Sequence, residues 1–249
     1  MSGRILAWVD GANSAVMAKL ELAEQPEIEP VHIDLGDSTD EDSHRFIDDC
    51  EAWFGKPITR IKSDDFANID EVFEARKYLS HMKGAPCTRA MKFAPRLAFQ
   101  RPDDTHLWGY TADILDMKRA VRMAQRYPEL KQHAPLIARG ITKIASHAIL
   151  ERASIRRPRV YDLGFPNGNC IGCVKSTSPS YWALVRQQFP AVFARRAEQS
   201  RRFGARLTHL PGRGDERFFI DEIPGDQPTT EPIVPSCDFL CQIAEQEAV

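Results

Sequence analysis

The residues best suited to chemistry in this chain are its cysteines. Cys170 and Cys173 form a C-x2-C pair in Asn169-Cys170-Ile171-Gly172-Cys173, Cys237 and Cys241 form a C-x3-C pair, and Cys87 stands in Ala85-Pro86-Cys87-Thr88-Arg89. A C-x2-C turn lets two thiolates reach one metal, and Gly172 helps the backbone fold around it. Thiolate donors suit zinc or an iron–sulfur cluster. Cys50, in a helical stretch beside Trp53, reads as packing.

The second chemical feature is the turn Asp10-Gly11-Ala12-Asn13-Ser14, which follows the apolar run Ile5–Val9. A tight turn that opens a helix leaves backbone N–H groups free, and together with the helix dipole they favour phosphate or sulfate. Ser14 either adds a hydroxyl to that cradle or caps the helix. Asp10 fits least well: its carboxylate either repels a phosphate or holds a metal or a ribose. Arg89, Lys92 and Arg96 recur at spacings of three and four, so on an α-helix they share one face. Such a face is either solvated or a receiver of phosphate or sulfate that also lowers the pKa of the neighbouring thiol. Arg186, Arg195, Arg196, Arg201, Arg202 and Arg206 form a late basic stretch, read as solvated surface or a nucleic-acid contact.

The elements that must hold these residues alternate. Short strands are expected at Ile5–Val9, Pro30–Ile33, Ile58–Ile61, Leu107–Tyr110 and Leu136–Ala138. Helices are expected at Ala15–Leu22, Ser43–Phe54, Asp113–Tyr127, Tyr181–Phe189 and Ala191–Phe203. This order predicts an α/β fold, a parallel sheet with helices on both faces. Ligands of such sheets bind beyond the carboxyl ends of the strands, which places the turns at 10–14, 34–37 and 109–112 on one edge. Residues 1–150 are expected to form the nucleotide-binding α/β domain, and residues 151–249 a cysteine-containing helical segment with an extended tail packed on it.

Length and composition agree with a folded, non-membrane chain. It has 249 residues, 33 Lys plus Arg against 35 Asp plus Glu, and 43% hydrophobic residues. A net charge of −2 argues against a bulk polyanion binder. No run approaches the ~18 apolar residues of a membrane helix, and the expected location is the cytoplasm, where cysteines serve metals or catalysis more than disulfides. There is no H-x3-H, HExxH, GxSxG, Walker loop or GxGxxG, which removes common hydrolase, NTPase and dehydrogenase readings.

Taken in order, Asp10–Ser14, then Cys87-Thr88-Arg89-Ala90-Met91-Lys92, then Gly109-Tyr110-Thr111-Ala112-Asp113, then Gly164-Phe165-Pro166-Asn167-Gly168-Asn169-Cys170-Ile171-Gly172-Cys173-Val174-Lys175, the chain resembles the phosphoadenosine phosphosulfate (PAPS) reductase family. That family belongs to the PP-loop ATP pyrophosphatases, of the adenine nucleotide alpha-hydrolase fold. The likeness is strongest to the reductase-like proteins of bacterial and phage genomes. It implies an enzyme of nucleotide-dependent sulfur chemistry, either reducing an adenylyl-sulfate or using ATP to adenylate a substrate before thiolation. It implies Gly11, Ala12, Asn13 and Ser14 as the phosphate loop, with Val9 and Asp10 departing from the family pattern. Asp34, Gly109 and Tyr110 are implied nucleotide contacts, beside Arg89 and Lys92. Cys87, Cys170 and Cys173 match three ligands of a 4Fe-4S cluster, with Zn2+ as the alternative metal. Cys241 or Cys237 is the implied fourth ligand, or the thiol that attacks sulfur. The implied ligands are ATP or an adenylyl-sulfate, with Mg2+ where a nucleotide brings it. The acceptor is a small molecule or a nucleic acid, and a homodimer is among the expected states. The other reading is a degenerate, non-catalytic binder of nucleotide or nucleic acid with a structural zinc site.

Overall fold

The structure, a computed structural model, describes residues 3–80 and 84–235. Cys237 and Cys241 therefore lie outside the described residues. Among these, five parallel strands form one sheet in the order β3-β2-β1-β4-β5: β1 Ile5–Trp8, β2 Glu29–Asp34, β3 Thr59–Lys62, β4 Thr105–Leu107 and β5 Lys131–His133. Buried Leu6, Ala7 and Trp8 make β1 the centre of the sheet, and half-exposed β3 and β5 are its edges. Strand order reverses at β1, so the crevice between the ends of β1 and β4 is the topological switch point where such sheets take ligands.

The helices follow the crossovers. α1 (Ala12–Glu24) leads from β1 to β2 and packs on α2 (Asp42–Phe54) and on α7 (Lys143–Arg152). The return from β3 to β4 runs the other way, and right-handed crossovers put its helices on the opposite face. These are α3 (Ile69–Arg76), a π-helical turn Thr88–Phe93 and α4 (Ala94–Phe99). There Phe99 meets Trp8 edge-on at 6.5 Å. The α/β fold read from the sequence is thus present. After α5 (Ile114–Arg126) and α6 (Pro135–Ala138), the chain adds α7, α8 (Pro179–Gln188) and α9 (Pro190–Arg202). A two-strand antiparallel ladder follows, β6 Thr208–His209 with β7 Arg217–Phe218. One contiguous buried core runs from Leu6 to Ile223.

Three expectations need correction. The fifth strand is Lys131–His133, and Leu136–Ala138 is helical, within α6. Pro135 opens that helix, as proline does at a first helical position. The strand itself is polar because it lies on a solvent-facing edge. The fourth strand ends at Leu107, so Trp108, Gly109 and Tyr110 belong to the loop beyond it. Third, Arg89, Lys92 and Arg96 do not share a face, because the π-helical turn has a longer period than the α-helix. Arg89 is exposed and Lys92 is half-buried. Arg96 is 5% exposed, with its guanidinium 4.6 Å from the Phe93 ring, 5.5 Å from Tyr127 and 5.7 Å from Trp108. No helix of the described residues is long and apolar enough to cross a membrane.

Candidate functional site

The first loop is held by its own side chains. Ser14 Oγ accepts the N–H groups of Asp10 and Gly11 at 2.9 and 3.0 Å and donates to the Gly11 carbonyl at 2.9 Å. This caps the start of α1. Gly109, in the loop after β4, packs directly against it: a Cβ there would lie 2.5 Å from Ser14 Cα. The expected nucleotide contact Gly109 is thus first a point of close approach between two strand-end loops. The Tyr161 hydroxyl closes the loop from the other side, accepting Gly168 N–H at 3.1 Å. A Cβ on Gly11 would come within 3.1 Å of that hydroxyl.

Asp10 is paired. Its Oδ2 lies 3.6 Å from Lys92 Nζ, and its Oδ1 lies 3.3 Å from Nδ1 of His32 on β2. His32 Nδ1 is also 2.8 Å from the Val9 carbonyl. Partial removal from water would raise the Asp10 pKa, but the Lys92 ammonium and His32 outweigh it and hold the carboxyl well below its usual range. Of the roles open to Asp10, the structure shows its carboxylate paired on both oxygens, with Lys92 and with His32. His32 gave no signal in the sequence, since a single histidine on a strand has no motif. Asp34 Oδ1 accepts Gly36 N–H at 2.8 Å, a local turn after β2. Asn13 Oδ1 is buried with no partner.

Beside Lys92 opens a cavity of about 670 Å³ at the carboxyl edge of the sheet. Its wall brings together Cys87, Cys170 and Cys173, with Lys92, Tyr110, Arg119, Lys175 and Tyr181 as its charged and phenolic groups. Tyr110 and Arg119 are held by the loop after β4. Thr111 Oγ1 sits 2.7 Å from Asp113 and 2.9 Å from Asp116, Asp113 Oδ2 accepts Lys143 N–H at 2.7 Å, and Arg119 pairs with Asp116 at 2.7 Å. This explains the composition of Gly109–Asp113: small and polar residues there build the support for Tyr110.

The C-x2-C turn is fixed by the helices that follow it. Gly172 has φ +67°, a left-handed conformation that lets the turn close. The Tyr181 hydroxyl accepts Cys173 N–H at 2.8 Å, Trp182 Nε1 donates to Ser176 O at 3.0 Å, and Arg196 Nε donates to Gly172 O at 3.2 Å. Arg196 is 1% exposed and paired with Asp70 at 2.7 Å. Of the late arginines Arg196 is thus an internal strut, whereas exposed Arg195, Arg201 and Arg202 keep the solvated surface as read and pair there with Asp70, Asp221 and Glu74, and half-buried Arg186 donates to the carbonyls of Ile223, Pro224 and Gly225.

Burial pushes the Cys170 thiol up to about 12 despite Lys92, and burial followed by neighbouring Cys173 raises Cys87. Cys50 is buried in the core, as read. The donor chemistry of Cys87, Cys170 and Cys173 suits a thiophilic metal, and the three line one cavity. Among the described residues, however, no three His, Cys, Asp or Glu side chains stand close enough to hold an ion.

No protein-family model matches the chain, and no curated protein matches it. Among solved structures it is similar to phosphoadenylyl-sulfate (PAPS) reductase from Candida auris, solved as a phosphate complex. The identity is 10% and the TM-score 0.49, over 67% of this chain and 81% of that one.

Proposed function

We propose that this protein binds an adenine nucleotide in the cavity beside Lys92 and performs sulfur chemistry on it. The observation that carries the reading is that one cavity at the strand ends gathers Lys92 and Tyr110 with the three thiols of Cys87, Cys170 and Cys173. Cations position a phosphate, a phenol can lie against a base or ribose, and thiols are the groups sulfur chemistry needs. The resemblance in the sequence motifs supports the same reading.

Two reactions fit. In the first, a thiolate attacks the sulfur of an adenylyl-sulfate. A sulfur–sulfur bond forms, the anhydride oxygen–sulfur bond breaks, and AMP leaves with the electron pair. A second thiol then displaces sulfite and leaves a disulfide, which an external dithiol reduces. Cys237 and Cys241 are the proposed thiols for these steps. In the second, ATP adenylates an acceptor and pyrophosphate departs from the loop Gly11–Ser14. Where the tail cysteines are not spent on those thiol steps, Cys241 or Cys237 would complete, with Cys87, Cys170 and Cys173, the ligand set of a 4Fe-4S cluster or Zn2+. When bound, the group would tie the π-helical turn to the C-x2-C turn at the cavity wall.

A second reading, a non-catalytic nucleotide binder, is favoured by the self-satisfied loop, in which Ser14 and Asp10 occupy the groups a phosphate would use. An AMP-formation assay separates the two. Anaerobically purified protein is given adenylyl-sulfate plus a dithiol, or ATP plus a sulfur acceptor. AMP accumulating in either supports the enzyme, while nucleotide binding without AMP in both supports the binder.

A further inference from the structure

A second polar cluster lies between α4 and the sheet, apart from the cavity wall. Arg96 and Gln100, the residue that ends α4, are four apart and share the side of the helix that rests on the sheet. His106 on β4 and Trp108 just beyond it are two apart and point to one side. Their rings stack at 5.8 Å with planes 7° apart, and the Arg96 guanidinium lies 5.7 Å from the Trp108 ring. Six buried side-chain polar atoms have no hydrogen-bond partner among the described residues, and four of them are here: Arg96 Nε, Gln100 Oε1, His106 Nε2 and Trp108 Nε1. Trp8 Nε1 donates to His106 Nδ1 at 3.0 Å, so in the neutral ring the proton sits on Nε2. Arg96, His106 and Trp108 are therefore three unspent donors, and the Gln100 amide can turn either its oxygen or its N–H2 toward them. Arg96 is buried, and no carboxylate of the described residues pairs with it; Glu129 acts on it only through space.

We propose that this cluster is a binding site for one small monovalent anion of the halide class, held by the Arg96 guanidinium with the N–H groups of Trp108 and His106. A buried guanidinium stays charged at working pH and is costly without a counter-charge. The rings of Phe93, Tyr127 and Trp108 meet it by cation–π contact, which leaves its in-plane N–H donors unspent. Water would satisfy the neutral donors but not the charge, whereas an anion does both. The excess of donors over acceptors turns away a cation. Among anions, a monovalent ion loses less hydration on entering a site walled by aromatic rings than a divalent oxyanion does. Bound there, the ion ties α4 to the end of β4 and stabilises the fold by mass action. The site does not depend on the nucleotide reading, because none of its four residues lines that cavity.

The test is thermal unfolding at constant ionic strength, with sodium gluconate replaced stepwise by sodium chloride or sodium bromide. The proteins are the wild type, Arg96→Met and Trp108→Phe, the last keeping an aromatic ring without the N–H. The expected wild-type result is a rise in the unfolding midpoint of about 2–4 °C that saturates with halide, as a ligand at a few times its Kd gives. The rise is lost in Arg96→Met. In Trp108→Phe it needs about ten-fold more halide, as for loss of one hydrogen bond to a charged group. No saturable rise in the wild type overturns the proposal and leaves the cluster to water. A rise of equal size and halide dependence in all three proteins also overturns it, since that is a general salt effect. Should Arg96→Met fail to fold, Trp108→Phe decides alone, and an unshifted halide dependence there overturns the site.

Discussion

Asp10 Oδ2 lies 3.6 Å from Lys92 Nζ, and this pair ties the loop after β1 to the cavity wall. His32 stands on the other side of the same carboxylate. Partial burial lowers the His32 pKa, but the hydrogen bond and charge of Asp10, with the Val9 carbonyl, raise it above its ordinary value.

A raised histidine pKa stabilises the fold in one direction of pH. The contribution is complete below the unfolded value of about 6.5 and is lost as pH rises through the folded value. Asp10→Asn is expected to lower the His32 pKa and to flatten the loss of stability above about pH 6.5. NMR titration of the His32 ring checks this, and an unchanged pKa in the variant would contradict the pairing.

Gly109→Ala is expected to destabilise the protein by about 1–3 kcal/mol, the range for overpacking. Its Cβ would lie 2.5 Å from Ser14 Cα, where backbone must move. Gly225→Ala is the control: a Cβ there meets nothing within 4 Å, and the change should stay within about 0.5 kcal/mol. Urea unfolding of both variants measures the difference.

What the sequence discloses divides along physical lines. Strands β1 and β2 and the turn at 10–14 are legible because buried parallel strands are short apolar runs that end in small polar turns, and β3 is legible from its alternating Ile58, Thr59, Arg60 and Ile61. β5 is not legible, since Lys131–His133 is a polar edge. The cationic face of Arg89, Lys92 and Arg96 fails because it assumes a 3.6-residue period that the π-helical turn breaks. The grouping of Cys87 with Cys170 and Cys173, which line one cavity, is implied by the family resemblance alone, since sequence spacing places Cys87 apart from the C-x2-C pair. The partners of Asp10 are not legible, since His32 and Lys92 are single residues whose meeting depends on the sheet order. Tyr161 and Arg119 are missed for the same reason, each a lone side chain delivered by tertiary packing.

His106 on β4 is fully buried beneath Trp8 and Trp108, and Trp8 Nε1 donates to its Nδ1 at 3.0 Å. Burial, with Arg96 nearby, lowers its pKa to about 4. Between about pH 6.5 and 4 the unfolded chain binds this proton and the folded chain does not, so stability rises with pH across that window, by about 3 kcal/mol at most. His106→Phe is expected to remove that slope in pH-dependent urea unfolding. An unchanged acid limb would show that other groups set it.

The thiols are expected to hold a thiophilic metal. Anaerobic purification should give a brown protein whose charge-transfer absorbance and iron are lost together in Cys173→Ser. A colourless preparation with stoichiometric zinc would assign a structural zinc site instead, and a metal-free wild type would contradict a metal centre altogether.

The central claim is that the cavity beside Lys92 receives an adenine nucleotide. Calorimetric titration of adenosine 5′-phosphosulfate into the wild type and Lys92→Gln tests it most directly. The account predicts saturable one-site binding to the wild type, weakened about ten-fold or more in the variant, as expected for loss of a charged partner to phosphate. No binding to the wild type, or equal affinity in the two proteins, would contradict it.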